Sequence, residues 1–351
     1  MIKFLNNWWK EIDQINFLII IFLIIIGIIL SFSVNDSSAF FNRHLTYALI
    51  AVFIIIFLSF LDSKTLRRVA LVGILISIIL LIAILFVNDE IKGSTRWLRI
   101  LGYSVQPSEF AKPFFLMLSG WFLSKGIQGQ KISMYLVFVT FFLLAGLIIL
   151  QPDFGMTMLF SISFFCQLFI AGLSLLLVSI AIFILLLLSI FSYYRFNHVR
   201  KRFDDFFQPS SGTDQIDQSL KAFKSGGLLG KGPGQGTLKE SIPEANTDFI
   251  FAVAGEELGF IVCCFIVILI LILVIRSLLS LLKIDEPDII IAIGGLASCF
   301  GLQTLINIFS TLKLIPTKGM TLPLISYGGS SMISSAILFG FLLSLTRKRR
   351  K

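Results

Sequence analysis

An all-α, polytopic membrane protein of about ten transmembrane helices is what this sequence predicts, and three observations lead there. Hydrophobic residues make up 56% of the chain and charged residues only 14%, too few polar groups to clothe a soluble surface. Mean hydropathy is +0.94. Apolar stretches long enough to cross a hydrocarbon core, roughly 20 residues each, recur along the chain. They run from 15 to 33, 44 to 61, 68 to 87, 107 to 124, 133 to 150, 154 to 171, 173 to 193, 249 to 276, 288 to 311 and 325 to 345. Lipid offers no partner to an open strand edge, so these stretches must be helices. A single domain over 1–351 follows, with short tails at 1–14 and 346–351.

The first span lacks a small-residue cleavage site behind a short apolar core, so it is expected to be retained. Cys166, Cys263, Cys264 and Cys299 all fall inside apolar stretches without metal-ligand spacing and read as packing residues. His44 and His198 are the only histidines, which argues against a His-based triad or a His-rich metal site. Lys and Arg in the short loops set the orientation. With the N-terminus inside, the inner segments carry 14 of them and the short outer loops 6, the bias of the positive-inside rule. Both termini are therefore expected in the cytoplasm. The net charge of +9 is largely this signal, so a nucleic-acid partner is not indicated. The basic run at the C-terminus reads as a membrane-surface anchor.

One connection, 194–247 between the seventh and eighth spans, is far longer than the others. Loops of such length are either functional or disordered. On the predicted topology it lies outside the membrane, and it is basic, with Arg195, Arg200, Lys201, Arg202, Lys221, Lys224, Lys231 and Lys239. It is either a solvated loop or a site for an anionic substrate. Its centre, Gly226-Gly227-Leu228-Leu229-Gly230-Lys231-Gly232-Pro233-Gly234-Gln235-Gly236, has the glycine density that lets backbone N–H groups approach phosphate oxygens. It fits neither the Walker A spacing nor the dinucleotide fingerprint.

Ionisable groups at membrane depth are costly and mark function by default. Glu109 and Lys112 stand three apart on one helix face, as a structural ion pair or as parts of a site. Asp153 follows Gln151-Pro152 at a helix start, where a capping role accounts for it. Glu256 and Glu257 lie about two turns into the eighth span, and at least one needs a partner. Asp248 stands at the mouth of that span, directly after the basic loop. It is either a helix cap or a general base or divalent-cation ligand beside an anionic substrate.

Several segments together resemble the SEDS family (shape, elongation, division and sporulation), which contains the peptidoglycan polymerases FtsW and RodA. They are Lys92-Gly93-Ser94-Thr95-Arg96-Trp97-Leu98; Gln106-Pro107-Ser108-Glu109-Phe110-Ala111-Lys112; Gln151-Pro152-Asp153-Phe154-Gly155; Gln215 with Gln218-Ser219-Leu220; the glycine run; Pro243 to Ala252 with Glu257-Leu258-Gly259; and Pro316-Thr317-Lys318-Gly319-Met320-Thr321-Leu322-Pro323-Leu324-Ile325-Ser326-Tyr327-Gly328-Gly329-Ser330-Ser331. They occur in family order from about 90 to 335. The Thr317-Lys318 pair before Gly319 is similar to the FtsW, division, branch. Asn246 departs from the family, in which His commonly precedes Thr-Asp-Phe. Asn keeps hydrogen bonding but does not titrate near neutral pH.

The resemblance implies a glycosyltransferase that joins lipid II units, disaccharide-pentapeptides carried on undecaprenyl diphosphate, at the outer face of the cytoplasmic membrane during septal division. It also implies a class B penicillin-binding protein transpeptidase as partner. A compatible mechanism makes Asp248 the base toward the acceptor hydroxyl, with cations meeting charge on the departing diphosphate. The candidates are Lys112, Arg96, Lys231 and Arg202, in that order, with Mg²⁺ or Mn²⁺ held at Asp248 as a further source of charge. Glu109, Gln218, Ser219, Glu257, Lys318, Ser326 and Ser330 complete the expected site. A lipid II flippase and a non-catalytic division scaffold are the alternatives. Transporters usually show internal repeats and substrate residues near the midplane, whereas the Gln-Pro tripeptides at 106, 151 and 208 are too short to be repeats.

Overall fold

A computed structural model describes residues 2–34, 38–86, 96–100, 102–173, 215–316 and 319–347, with scattered positions between 176 and 200. The chain opens with a short helix, α1 (Ile2–Glu11), followed by α2 (Gln14–Val34), α3 (Ser38–Phe60) and α4 (Ser63–Ile84). A small antiparallel hairpin, β1 (Leu98–Ile100) and β2 (Tyr103–Val105), pairs Leu98 with Val105 and Ile100 with Tyr103. It leads into α5 (Pro107–Ile127), α6 (Lys131–Leu150) and α7 (Phe154–Ile170). Beyond the long connection come α8 (Gln215–Gly226), a 3₁₀ turn at Leu238–Ser241, α9 (Ile250–Glu257), α10 (Gly259–Ser280), α11 (Pro287–Thr311) and α12 (Gly329–Leu345).

Proline at the first helical position starts both α5 and α11, where its missing N–H would be unpaired in any case. The helix α12 is buried along nearly its whole length, its serines included, and so lies inside the bundle rather than on its surface. Small residues let its neighbours and theirs approach closely. A methyl on Gly120 of α5 would lie 2.8 Å from the backbone of Ala292 in α11, and one on Gly340 would lie 2.7 Å from Leu58. Phenylalanines fill the space between α5, α6 and α7, with ring centroids 4.8 Å apart for Phe115 and Phe160 and 4.6 Å for Phe141 and Phe164. Gln167 pins this layer to α5 and α11, accepting from Ser119 Oγ at 2.6 Å and donating to the carbonyls of Leu116 and Ile291. The four cysteines are free, at buried or half-buried packing positions.

Six of the described helices are long and apolar enough to cross a membrane, and α7 and α12 are shorter apolar helices. The expected spans coincide with α2 to α7, α11 and α12 within two turns. The span expected at 173–193 falls largely outside the described residues. That expected at 249–276 is not continuous: α9 ends at Glu257 and α10 begins at Gly259, whose φ of +84° breaks the helix. The long apolar element is Gly259–Lys283 alone, which leaves α9 as a separate short helix. The N-terminal tail holds the helix α1. Trp8 of α1 donates Nε1 to Ser59 Oγ at 2.9 Å and stacks on Phe60.

Candidate active site

The first turn of α5 presents Glu109 and, one turn on, Lys112, so the two side chains meet on one face. Their ion pair is 2.8 Å long and almost wholly buried, 7% and 3% exposed. Both are fixed from outside the helix. Lys112 Nζ donates to Gln303 Oε1 of α11 at 2.7 Å, and the Glu109 carbonyl accepts from Ser334 Oγ of α12 at 2.6 Å. A lone charge here would be costly, and pairing plus hydrogen bonding is what permits either ion to be present.

From Gln303 the polar stripe of α11 continues one turn to Asn307. Gln303 Nε2 donates to the Thr321 carbonyl at 3.3 Å, while Asn307 Nδ2 donates to the carbonyls of Asp248 at 2.8 Å and Met320 at 2.6 Å. The segment carrying Asp248 is thus joined to the one leading into α12. Ser326 Oγ donates to the Thr247 carbonyl at 2.6 Å and accepts from Leu322 N, and Tyr327 N donates to the Asn246 carbonyl at 2.9 Å. Ser330 Oγ accepts from Gln106 N at 2.9 Å, which ties the same strip to the start of α5. Asp248 is half-buried and precedes Phe249, which occupies the N-cap position of α9. Asp248 therefore stands one residue before the N-cap position.

Asp153 does cap its helix, accepting from Met156 N at 3.2 Å, as the sequence suggests. Arg96 leans on the same corner, donating to the Pro152 carbonyl at 2.9 Å and lying 3.6 Å from Asp153 Oδ1. Among the described residues its buried Nε meets no acceptor.

In the glycine run the amides of Gly230, Lys231, Gly232, Gly234 and Gln235, and those of Thr237 to Lys239 just after it, are committed to protein oxygens. Lys231 N and Gly232 N donate to the carbonyls of Glu256 and Glu257, and Gly234 N to Glu257 Oε2. Thr237, Leu238 and Lys239 give their N–H groups to the Glu256 carboxylate at 2.9, 3.0 and 3.1 Å. Lys231 itself pairs with Glu256 at 2.7 Å and Lys239 with Glu257 at 2.8 Å. Burial acts to raise the Glu256 carboxyl, but the Lys231 ammonium and the amides of Leu238 and Thr237 outweigh it and hold the group below the ordinary carboxylate range. Elsewhere in the expected site, Ser219 Oγ donates to the Thr311 carbonyl at 2.6 Å, and the buried Oε1 of Gln218 meets no donor among the described residues. Arg202 and Lys318 lie outside the described residues.

Among the described residues no three His, Cys, Asp or Glu side chains stand together as ligands for one ion. The sequence reading missed Gln303, Asn307, Lys239 and Ser33 as parts of these networks. For the first two the signal was present: amides four apart in an apolar helix of 25 residues.

A bundle of apolar helices with a buried ion pair and an ordered polar surface at one end defines a multi-pass membrane protein with a site at the mouth of its helices. Residues 10–351 match the family described as "Cell cycle protein", that of FtsW, RodA and SpoVE, and the chain belongs to it. Within that family it falls in the FtsW branch. It is 35% identical to a Caulobacter vibrioides protein named "Probable peptidoglycan glycosyltransferase FtsW", over 98% of this chain and 92% of the relative. An Aliivibrio salmonicida protein of the same name is 34% identical, covering 89% and 80%. A chain from a solved peptidoglycan synthase complex that coordinates polymerization and crosslinking superposes with a TM-score of 0.80 at 25% identity, covering 96% of this chain and 98% of that one. The Thermus thermophilus rod shape determining protein RodA shares the fold, with a TM-score of 0.72 at 24% identity over 96% and 97%.

Proposed function

We propose that this protein is a peptidoglycan glycosyltransferase, polymerising lipid II into glycan strands at the outer face of the cytoplasmic membrane during septal division, with both termini in the cytoplasm. The observation that carries the reading is the placement of Asp248. It lies outside the helix cap, on a backbone held by Asn307 and joined through its neighbours to Ser326 and Tyr327, one turn of α11 away from the Lys112 that Gln303 fixes. A carboxylate so fixed can accept the proton of an acceptor sugar hydroxyl as that oxygen attacks the donor sugar and the lipid diphosphate departs. Lys112 has its charge met by Glu109 at 2.8 Å, whereas Arg96 lies 3.6 Å from Asp153 and keeps more of its guanidinium charge for the diphosphate. A divalent cation, Mg²⁺ or Mn²⁺, would have Asp248 as its protein ligand and would supply further charge stabilisation. The likeness to a synthase that couples polymerization to crosslinking supports a class B penicillin-binding protein as the working partner.

The test is polymerisation of labelled lipid II by the purified protein with its transpeptidase partner. Asp248→Asn and Asp248→Ala are expected to lose about 100-fold to 10,000-fold in rate while melting like the wild type. Normal polymerisation by both would remove Asp248 from the chemistry; wild-type protein that makes no chains but moves lipid II across vesicles would make it a flippase.

A further inference from the structure

Resting on that reading of Asp248, the networks around Glu256 and Glu257 have a role of their own. The Glu256 carboxylate is fully buried, and it receives three consecutive amides, Thr237 to Lys239, that precede it by 17 to 19 residues in the chain yet lie against it in space. The segment from Thr237 to Glu256 is therefore closed on itself by one side chain, with Asp248 near the middle. Next to it, Glu257 accepts from Lys239 Nζ at 2.8 Å, from Gly234 N at 3.2 Å and from Ser33 Oγ in a short contact. Lys239 Nζ also donates to the Ser33 carbonyl at 2.6 Å, so the closed segment is moored to the end of α2. Packing at the junction leaves no slack. A methyl on Gly230 would lie 2.2 Å from the Glu257 carbonyl, and one on Gly236 would lie 2.9 Å from Glu256 Oε2 and 3.0 Å from Glu257 Oε1.

We propose that Glu256 is a positioning residue of the transferase: by binding the 237–239 amides it fixes both ends of the segment that presents Asp248, and Glu257 with Lys239 and Ser33 sets where that segment stands relative to the helices. The three amides that satisfy the remaining lone pairs of the buried carboxylate also tie residues 237–239 to the end of α9, so losing them frees the segment as well as the charge. Proximity arguments give the scale, since a misplacement of about 1 Å at a reacting group costs about 100-fold in rate. Glu256→Gln presents an amide N–H₂ to donors that had an oxygen, so it opens the closure while removing little volume. Gly236→Ala keeps every charge and displaces the carboxylates by a few tenths of an ångström.

The experiment combines two readouts on the full chain with its transpeptidase partner in nanodiscs: steady-state polymerisation of labelled lipid II, and hydrogen exchange of the 237–239 amides. Glu256→Gln is expected to expose those amides and to lower kcat about 100-fold with KM for lipid II within about twofold. Gly236→Ala, the variant that retains the charge network if Glu256→Gln does not fold, is expected to lower kcat about 10-fold, again at nearly constant KM. Asp248→Asn should be inactive with the amides fully protected. Wild-type kcat in Glu256→Gln with the amides exposed, or in a Gly236→Ala protein whose closure is loosened, overturns the positioning role alone. Wild-type polymerisation by Asp248→Asn overturns both readings together.

Discussion

At the end of the bundle that gathers α1 and the last helix, Arg347 meets Glu11 at 2.6 Å, Arg276 meets Asp13 at 2.8 Å and Arg67 meets Asp288 at 2.5 Å, with side chains 14 to 37% exposed. At the other end of α2, Lys239 meets Glu257 at a similar 2.8 Å but with 7% and 1% exposed, and the Glu109–Lys112 pair is as deeply buried. Distance does not separate the two groups; environment does. Pairs that keep part of their hydration gain little over their hydrated ions, on the order of 0 to 1 kcal/mol when fully exposed. Buried pairs have lost their water, so each member depends on the other and on every remaining hydrogen bond. The first end thus tolerates the loss of a charge, while the second holds charges whose positions are set by the fold and are therefore available for chemistry.

The largest expected difference lies in single against double removal at the buried pair. Lys112→Ala strands the Glu109 carboxylate between α5, α11 and α12, and thermal melting in detergent should show a loss of about 3 to 5 kcal/mol. Glu109→Gln with Lys112→Met removes both charges at similar volume and should recover most of that loss. Polymerisation by the double variant then sharpens the comparison. Activity near wild type would place the pair with the helix-packing contacts, whereas a stable but inactive protein would place the Lys112 ammonium in the reaction.

Much of this contrast was legible in the sequence. Apolar runs of about 20 residues could only be helices, and Glu109 with Lys112 three apart announced a shared face before any coordinates. Asp248 was visible as a carboxylate between a basic loop and an apolar run. What was hidden is tertiary. The glycine run has the composition of an anion cradle, and the anions it meets are the chain's own Glu256 and Glu257, a pairing made by residues up to 25 positions apart that no local pattern encodes. The break at Gly259 was masked because apolar residues continue on both sides of it and only the positive φ of one residue marks it. Asp248 stayed open between cap and base in the sequence because which residue caps a helix depends on where the preceding turn ends, and here that turn is tied to Asn307 of α11 and to Ser326 of the segment before α12.

An acid titration probes the clamp from its own side. Glu256, in the short helix before the α10 span, titrates below its ordinary value of 4.5 in the folded protein. A depressed carboxylate contributes stability above the unfolded value, and that contribution is lost as pH falls through the folded one. Melting temperature should therefore hold steady from neutral pH down to about 5 and fall below the ordinary carboxylate range. Glu256→Gln, which has no proton to take up, should start lower and show a shallower acid fall. Equal slopes for the two proteins would assign the acid loss to other carboxylates.

The smallest effect is expected where the comparison began. Arg276 donates both contacts from one nitrogen to Asp13, at 2.8 and 2.9 Å, and is over a third exposed. Arg276→Ala should cost about 0.2 to 1 kcal/mol in melting experiments, less at 0.5 M salt, and should leave polymerisation within about twofold. A loss as large as that of Lys112→Ala would mean that the pair between the starts of the first span and the end of α10 is desolvated in the bilayer interface, and the two ends of the molecule would then obey the same rule.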